Sequence, residues 1–254
     1  MALFELRGIK KAFGPNLVLD GLDLDILQGE LLTLIGESGS GKSLLLKAMM
    51  GLIEIDAGQI RFKDELISNS TEKEWLRIRK QIGMLFQESA LFDSLNVYEN
   101  VAYGLREQTE MTEAEIRQRV ADTLALVALP GIESMSPSDL SGGMRKRVAL
   151  ARAIAVRPNV VFYDEPAEGL DPINVTRVNR LLLGLKKTLD VTSVMVTHNL
   201  KAAFAISDRL AMIHDGKVVA TGDPDSFLNS RNPIVREFIG ERMLRVLEAN
   251  RASA

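Results

Sequence analysis

The chain has 254 residues, 46% apolar and 26% charged, an ordinary globular balance with enough length for one large domain or two modest ones. Lys and Arg number 31 against 34 Asp and Glu, and the net charge of −3 argues against a broadly basic nucleic-acid surface. With no cysteine, a disulfide framework, a zinc–thiolate site and a thiol nucleophile are all excluded.

In chain order, residues 3–6 and 17–26 alternate apolar with polar side chains, the pattern of half-buried strands. Leu31–Ile35 is a continuous apolar run, which predicts a strand buried on both faces. It runs into Gly36-Glu37-Ser38-Gly39-Ser40-Gly41-Lys42-Ser43, then a helical stretch over 44–50 that stops at Gly51. Residues 59–62 return as a strand, Thr71 and Glu74 form a capping box opening a helix around Trp75, and 82–86 is another buried strand. From about residue 88 to 156 the texture is helical. Thr112 and Glu115 make a second capping box, followed by Ile116, Val120, Leu124 and Val127 at helical spacing and a stop at Pro130-Gly131. A further helix is expected after Ser141-Gly142-Gly143, carrying Val148, Leu150 and Ile154.

Beyond it the chain alternates again: a buried strand over 160–163, a helix over 175–189, a strand over Thr192–Val196 and a helix over Leu200–Ile206. Residues 210–213 and 218–220, flanking Asp215-Gly216, predict a hairpin. In the tail, Ile234, Val235, Phe238, Ile239, Met243, Val246 and Leu247 fall in one wide stripe, so an amphipathic helix over 233–247 is expected to dock on its own domain or on a partner. Strands alternating with helices predict the α/β class, with a mainly parallel sheet interrupted by a helical block. No apolar run approaches ~18 residues, and Glu5 and Arg7 interrupt the first one, so neither a membrane span nor a signal-peptide core is expected.

Residues 36–43 fit the phosphate loop G-x-x-x-x-G-K-[ST] in its required setting, after a strand and opening a helix. Glycines let the backbone curl so that successive N–H groups face phosphate oxygens. Lys42 adds a point charge, Ser43 can ligate Mg²⁺, and the helix N-terminus favours an anion. A dinucleotide-type G-x-G-x-x-G fails, because Leu44 stands at the third position after Gly39 and Gly41. A plain glycine-rich turn is the competing explanation of the loop taken alone. The strand over 160–163 ends in Asp164-Glu165-Pro166, which suits an NTPase: Asp164 for hydrated Mg²⁺, Glu165 to orient or deprotonate the attacking water. Acids also end strands as simple helix caps.

The third signal is Leu140-Ser141-Gly142-Gly143-Met144-Arg145-Lys146-Arg147. Together, in this order, these motifs resemble the nucleotide-binding subunits of ATP-binding cassette (ABC) transporters across residues 3 to 230. The resemblance implies a P-loop NTPase core with a mainly parallel sheet, an antiparallel β-subdomain and an inserted α-helical subdomain. It divides the chain into a core of 1–87 and 157–232, a helical signature subdomain of 88–156, and a C-terminal helix and tail of 233–254. ATP contacts are implied at Phe13 (where the family more often has Tyr stacking on adenine), Gly36, Glu37, Ser38, Gly39, Ser40, Gly41, Lys42, Ser43 and Leu44. Ser141, Gly142 and Gly143 would complete the site of an opposing subunit, and Asp171, also an implied nucleotide-site residue, matches the loop at the dimer interface. Glu165, the switch histidine His198 and Gln87 are the implied catalytic residues; Ser43, Gln87 and Asp164 the implied Mg²⁺ ligands. The physics agrees, since a helix start with two glycines and a serine is a second anion cradle. One chain cannot easily bring both cradles to one phosphate, so a homodimer enclosing two ATP is expected.

Met144 stands where many importers have Gln. Residues 86–95 and Asp171-Pro172-Ile173 resemble the ATPases of Mla/MCE-type lipid transporters. That implies ATP-driven phospholipid movement through an integral membrane permease, with an MCE-type lipid-binding protein reached indirectly and a small regulatory subunit. The chain would then be peripheral, at the cytoplasmic face of the inner membrane. Two alternatives stand beside it: a cassette for another cargo, such as polar amino acids, and a soluble cassette ATPase acting on DNA or ribosomes. The latter is disfavoured by one cassette, no long heptad tract and the mildly acidic balance, so no nucleic acid is expected. Residues 90–98, with Leu91, Phe92, Leu95 and Val97, are the candidate permease-docking surface, or else core of the helical block. His214 and Trp75 are expected to be structural.

Overall fold

The computed structural model describes residues 1–240. They fall into two compact units, Met1–Trp75 with the chain from Val194 onward, and Leu76–Ser193.

The first unit opens with β1 (Ala2–Phe13) and β2 (Asn16–Leu27), a long antiparallel hairpin in which β2 stands within a residue of its expected ends while β1 runs well past Leu6. β3 (Leu31–Ile35) is buried at every residue, as its unbroken apolar run demands. The one polar member, Thr33, shares a 2.6 Å hydrogen bond with the Ser207 hydroxyl. After α1 (Lys42–Met49), β4 (Ala57–Phe62) and β5 (Glu65–Leu66) complete a four-stranded antiparallel sheet in the order β2-β1-β4-β5. β5 is too short to show a period in the sequence. α2 (Glu72–Arg79) starts on the expected capping box: Thr71 N donates to Glu74 Oε2 at 2.7 Å. Trp75 is buried, and a β-carbon built on Gly51 would overlap its indole at 2.2 Å, a packing role for both.

The second unit holds β6 (Ile82–Leu85), α3 (Val97–Gln108), α4 (Glu113–Leu126), α5 (Gly142–Ile154), β7 (Val160–Asp164) and α6 (Pro172–Leu189). β6 and β7 pair in parallel. Thr112 and Glu115 cap α4 reciprocally, and Asn96 with Glu99 does the same for α3. α3 and α4 pack together, and Val97, Val101 and Leu105 of the first and Ile116, Val120 and Leu124 of the second are buried. α5 starts at Gly142 with Ser141 as its cap, two residues earlier than the sequence suggested, because the glycines form its first turn. α5 lies very close to β6: a β-carbon on Gly83 would come within 2.5 Å of the Ala153 carbonyl oxygen.

β8 (Thr192–Val196) carries the chain back into the first unit, where α7 (Leu200–Ile206), β9 (Arg209–His214) and β10 (Lys217–Gly222) follow. β9 runs parallel to β3 and turns into β10 through Asp215-Gly216, both at positive φ, the hairpin that the sequence predicted. His214, at the end of β9, lies 3.5 Å from Asp215. α8 (Pro224–Leu228) and α9 (Pro233–Ile239) close the described chain. Val235 and Ile239 of α9 join Ile35, Leu210, Met212 and Phe227 in one core, and burial of such side chains is worth about 1.5–3 kcal/mol each. The start of the amphipathic tail therefore docks on its own unit. Gly240, at φ 71°, ends α9, and the expected contribution of Met243, Val246 and Leu247 lies outside the described residues.

Candidate functional site

In the first unit, β3 ends against Gly36, whose φ of 147° and close approach to the Ile213 carbonyl oxygen (2.2 Å from an added β-carbon) leave room for hydrogen only. The chain then curls through Glu37, Ser38, Gly39 and Ser40 to Gly41, which opens α1 in the left-handed conformation with no side-chain cap. An uncapped helix start directs backbone N–H groups and the positive dipole end at whatever sits in the loop. Lys42 is only 8% exposed. Its Nζ curls back to the carbonyl oxygens of Gly36 (3.0 Å) and Glu37 (2.6 Å) and to the Ser40 hydroxyl (3.3 Å). The loop thus holds a cation at its own centre, where an anion would find charge and donors together. Ser43 and Leu44 form the first turn of α1.

Phe13, at the end of β1, is 53% exposed with the Lys11 ammonium 5.5 Å from its ring, so a face is available for stacking. His198 is exposed between β8 and α7. Its neighbours are fixed: Thr197 N donates to Leu34 O of β3, and Asn199 caps α7 by accepting from Ala202 N at 3.1 Å.

In the second unit, Asp164 is buried at the last position of β7 and Glu165 follows at φ 49°, a left-handed backbone that costs a non-glycine residue about 1–2 kcal/mol. Gln87 follows β6 and is exposed. Ser141 accepts from Met144 N at 3.3 Å as the cap of α5. Asp171 caps α6: its Oδ1 accepts from Ile173 N (3.0 Å) and Asn174 N (3.1 Å), its Oδ2 from Asn174 Nδ2 (2.6 Å). The Asn174 backbone and side-chain donors hold its carboxyl below the usual range. A β-carbon on Gly143 would lie 3.7 Å from Asn174, so the two helix starts, α5 and α6, share one exposed face, with Ile173 67% exposed beside them.

Three residues had no role assigned from the sequence, although Lys146 lies within the Leu140–Arg147 motif. Lys146 of α5 donates to the carbonyl oxygens of Gln87 and Glu165, both at 3.0 Å. Burial pulls its ammonium below the ordinary lysine value, against the upward pull of Glu168, Glu165 and Asp164. Its spacing to Leu150 and Ile154, both buried, was the available signal, since i, i+4, i+8 places all three on one helix face. Arg152 donates to Ser89 O (3.0 Å) and Ala90 O (2.6 Å), at two residues with positive φ, and lies over the Phe92 ring. Asn100 is fully buried: its Oδ1 accepts from Phe92 N, and its Nδ2 lies 3.0 Å from the carbonyl oxygens of Phe92, Leu95 and Asn96. Together they hold residues 89–96 in a set shape. Of the expected docking residues, Phe92 is exposed and Leu91 and Leu95 are partly so, whereas Val97 is wholly buried at the start of α3 and belongs to the core. A cavity of about 460 Å³ adjoins this segment, lined by Glu88, Ser89, Leu91, Pro137 and Arg145 among others.

The family model of the ABC transporter matches residues 19–168, more than half of the chain. The chain belongs to the ABC transporter family. It is 39% identical over 240 residues to the probable ribonucleotide transport ATP-binding protein mkl of Mycobacterium leprae, covering 94% of this chain and 69% of that one. It is 37% identical to the intermembrane phospholipid transport system ATP-binding protein MlaF of Haemophilus influenzae, covering 93% and 90%. Among solved structures, a dimeric post-hydrolysis state of the ATP-binding cassette MJ0796 bound to ADP and Pi superimposes with a TM-score of 0.80 at 29% identity, over 87% of this chain and 98% of that chain. The fold is accordingly that of an ABC nucleotide-binding domain: a P-loop ATPase core with an antiparallel β-subdomain and an inserted helical subdomain. As a member of this family the cassette binds ATP and couples its hydrolysis to transport. No helix among the described residues is long and apolar enough to cross a membrane.

Proposed function

We propose that this cassette powers the movement of phospholipid, or a related lipid, between cell-envelope membranes through a separate membrane permease. The observation that carries the cargo is the similarity to MlaF, which spans nearly the whole of both chains. In this reading the protein works as a homodimer enclosing two ATP, peripheral at the cytoplasmic face of the inner membrane. Its permease links it to an MCE-type lipid-binding protein, and a small regulatory subunit joins the assembly. Residues 1–87 and 157–232 form the ATPase core, 88–156 the helical signature subdomain, and 233–254 the C-terminal helix and tail.

The chain's own groups have distinct work in this scheme. The 36–43 backbone and the Lys42 ammonium hold the triphosphate, and Phe13 stacks on the base. Ser141, Gly142 and Gly143 of the second copy present a helix start to the same γ-phosphate, with Asp171 at the dimer contact. Glu165 orients the attacking water and takes its proton, while His198 contacts the γ-phosphate. Gln87 relays the state of the site towards residues 89–96, where Leu91, Phe92 and Leu95 meet the permease. The Ser43 hydroxyl and Asp164 carboxylate are hard oxygen donors of the kind that hold a hydrated Mg²⁺, with Gln87 as a third donor. When bound, that ion would draw charge from the β- and γ-phosphates.

The test is phospholipid analysis of both membranes after deletion of the chain, with wild type or Glu165→Gln restored. A redistribution of phospholipid that wild type reverses and Glu165→Gln does not is expected. Unchanged lipids beside defective uptake of a small polar solute would overturn the lipid assignment in favour of another cargo.

A further inference from the structure

Lys146 stands on the helix that Ser141 caps, five residues further along, and is 8% exposed. Its ammonium joins two chain segments 78 positions apart in sequence, Gln87 after β6 and Glu165 after β7, through their backbone carbonyl oxygens at 3.0 Å each. A buried ammonium needs acceptors for its donors. Here two of the acceptors belong to the very residues assigned to hydrolysis and relay. One of those, Glu165, has the left-handed backbone that only surrounding contacts can maintain.

We propose that Lys146 is a positioning residue for ATP hydrolysis, tying the backbones of Gln87 and Glu165 to α5 so that the Glu165 carboxylate is held at its working angle. The proposal rests on the role assigned above to Glu165. It adds a mechanical consequence. Any rotation of α5, whose first turn is the signature, displaces the carbonyls of Gln87 and Glu165 together through a single side chain. The side chain itself touches no reacting atom. Its loss therefore acts on turnover and leaves the grip on nucleotide, which is made in the 36–43 loop, as it was.

The experiment compares Lys146→Met, Lys146→Arg and wild type in the assembled transporter. Met fills the space without donors; Arg keeps donors for both carbonyls. Lys146→Met should lower kcat about 30-fold or more while changing the KM and Kd for ATP by less than about threefold, and Lys146→Arg should recover to within about fivefold of wild type. In the nucleotide-free protein, amide exchange across residues 86–89 and 164–168 should quicken about tenfold in Lys146→Met alone. A Lys146→Met enzyme with undiminished kcat, a loss of ATP affinity equal to the loss of kcat, or an Arg variant no better than Met would each overturn the proposal. Should Lys146→Met lose its cooperative melting transition, the same kcat against KM comparison is made on Lys146→Gln. Glu165→Gln is measured in parallel. Brisk turnover there removes the role of Glu165; arrested turnover there beside undiminished Lys146→Met removes only the inference about Lys146.

Discussion

The 36–43 loop and the Gln87–Glu165 pair, proposed above for binding and for hydrolysis, are built in opposite ways. The loop is contiguous: its glycine conformations, its uncapped helix start and its lysine all come from eight successive residues. The pair is assembled across the chain, and its shared contact is a side chain on a third element. A contiguous device is stiff and reproducible. A device spread over three elements moves whenever one of them does, which suits a site whose hydrolysis must answer to a distant cargo. In the proposed scheme the binding function sits on the first kind of structure and the catalytic function on the second.

The largest expected effect breaks the comparison at its catalytic end. Glu165→Gln should reduce ATP turnover by ~10²–10⁴-fold while keeping ATP affinity, read by steady-state hydrolysis and equilibrium binding. Equal losses in both would mean that the binding and catalytic functions are not separated as argued. Next comes the binding end. Gly36→Ala adds a carbon 2.2 Å from the Ile213 carbonyl at a φ of 147°, so the loop must shift; a destabilisation of about 2–4 kcal/mol is expected by denaturant titration, with ATP affinity lost alongside. A Gly36→Ala variant as stable as wild type would show that the loop is less rigid than its contacts imply.

The same contrast explains what could be read from the sequence. The phosphate loop, β3, β8, α7, the Asp215-Gly216 hairpin and the capping boxes are each written in neighbouring residues, and each stands where its pattern put it. The extent of β1 was not, because pairing with β2 rather than alternation carries it beyond Leu6 to Phe13. The sequence leaves Val97 open between surface and core, because Leu91, Phe92, Leu95 and Val97 fall within one short stretch; the capping of α3 by Asn96 places it inward. Asn100 was passed over and Lys146, though inside the Leu140–Arg147 motif, was given no role, for a common reason. A polar residue on an apolar helix face has meaning only through what lies opposite, and that comes from elsewhere in the chain.

Asn100 measures how much such a residue contributes. Asn100→Ala leaves the amide of Phe92 and the carbonyls of Phe92, Leu95 and Asn96 without their side-chain partner, and should destabilise the second unit by about 2–3 kcal/mol. It should also weaken capture of the permease, because residues 89–96 lose one of their two anchors. A change below about 0.5 kcal/mol would mean that Arg152 and the backbone hold the segment unaided.

The smallest effect belongs to a purely local device in the same unit and so provides the control. Thr112→Ala removes the cap of α4 and should lower stability by about 1 kcal/mol at neutral pH, with no effect on turnover. Its pH dependence has a definite sign. The Glu115 carboxyl is held below its usual range by the backbone N–H of Thr112 and then by the Thr112 hydroxyl. A lowered carboxylate stabilises the folded chain fully above its unfolded value of about 4.3, and that part disappears as pH falls through the lower folded value. The Ala variant keeps the backbone bond and loses the hydroxyl one, so it has less to lose in acid. The stability gap between wild type and Thr112→Ala should therefore be full at pH 7 and narrow below about pH 4. A gap that widens in acid would show that α4 is held by something other than its own first turn, and the line between local and assembled devices would have to be redrawn there.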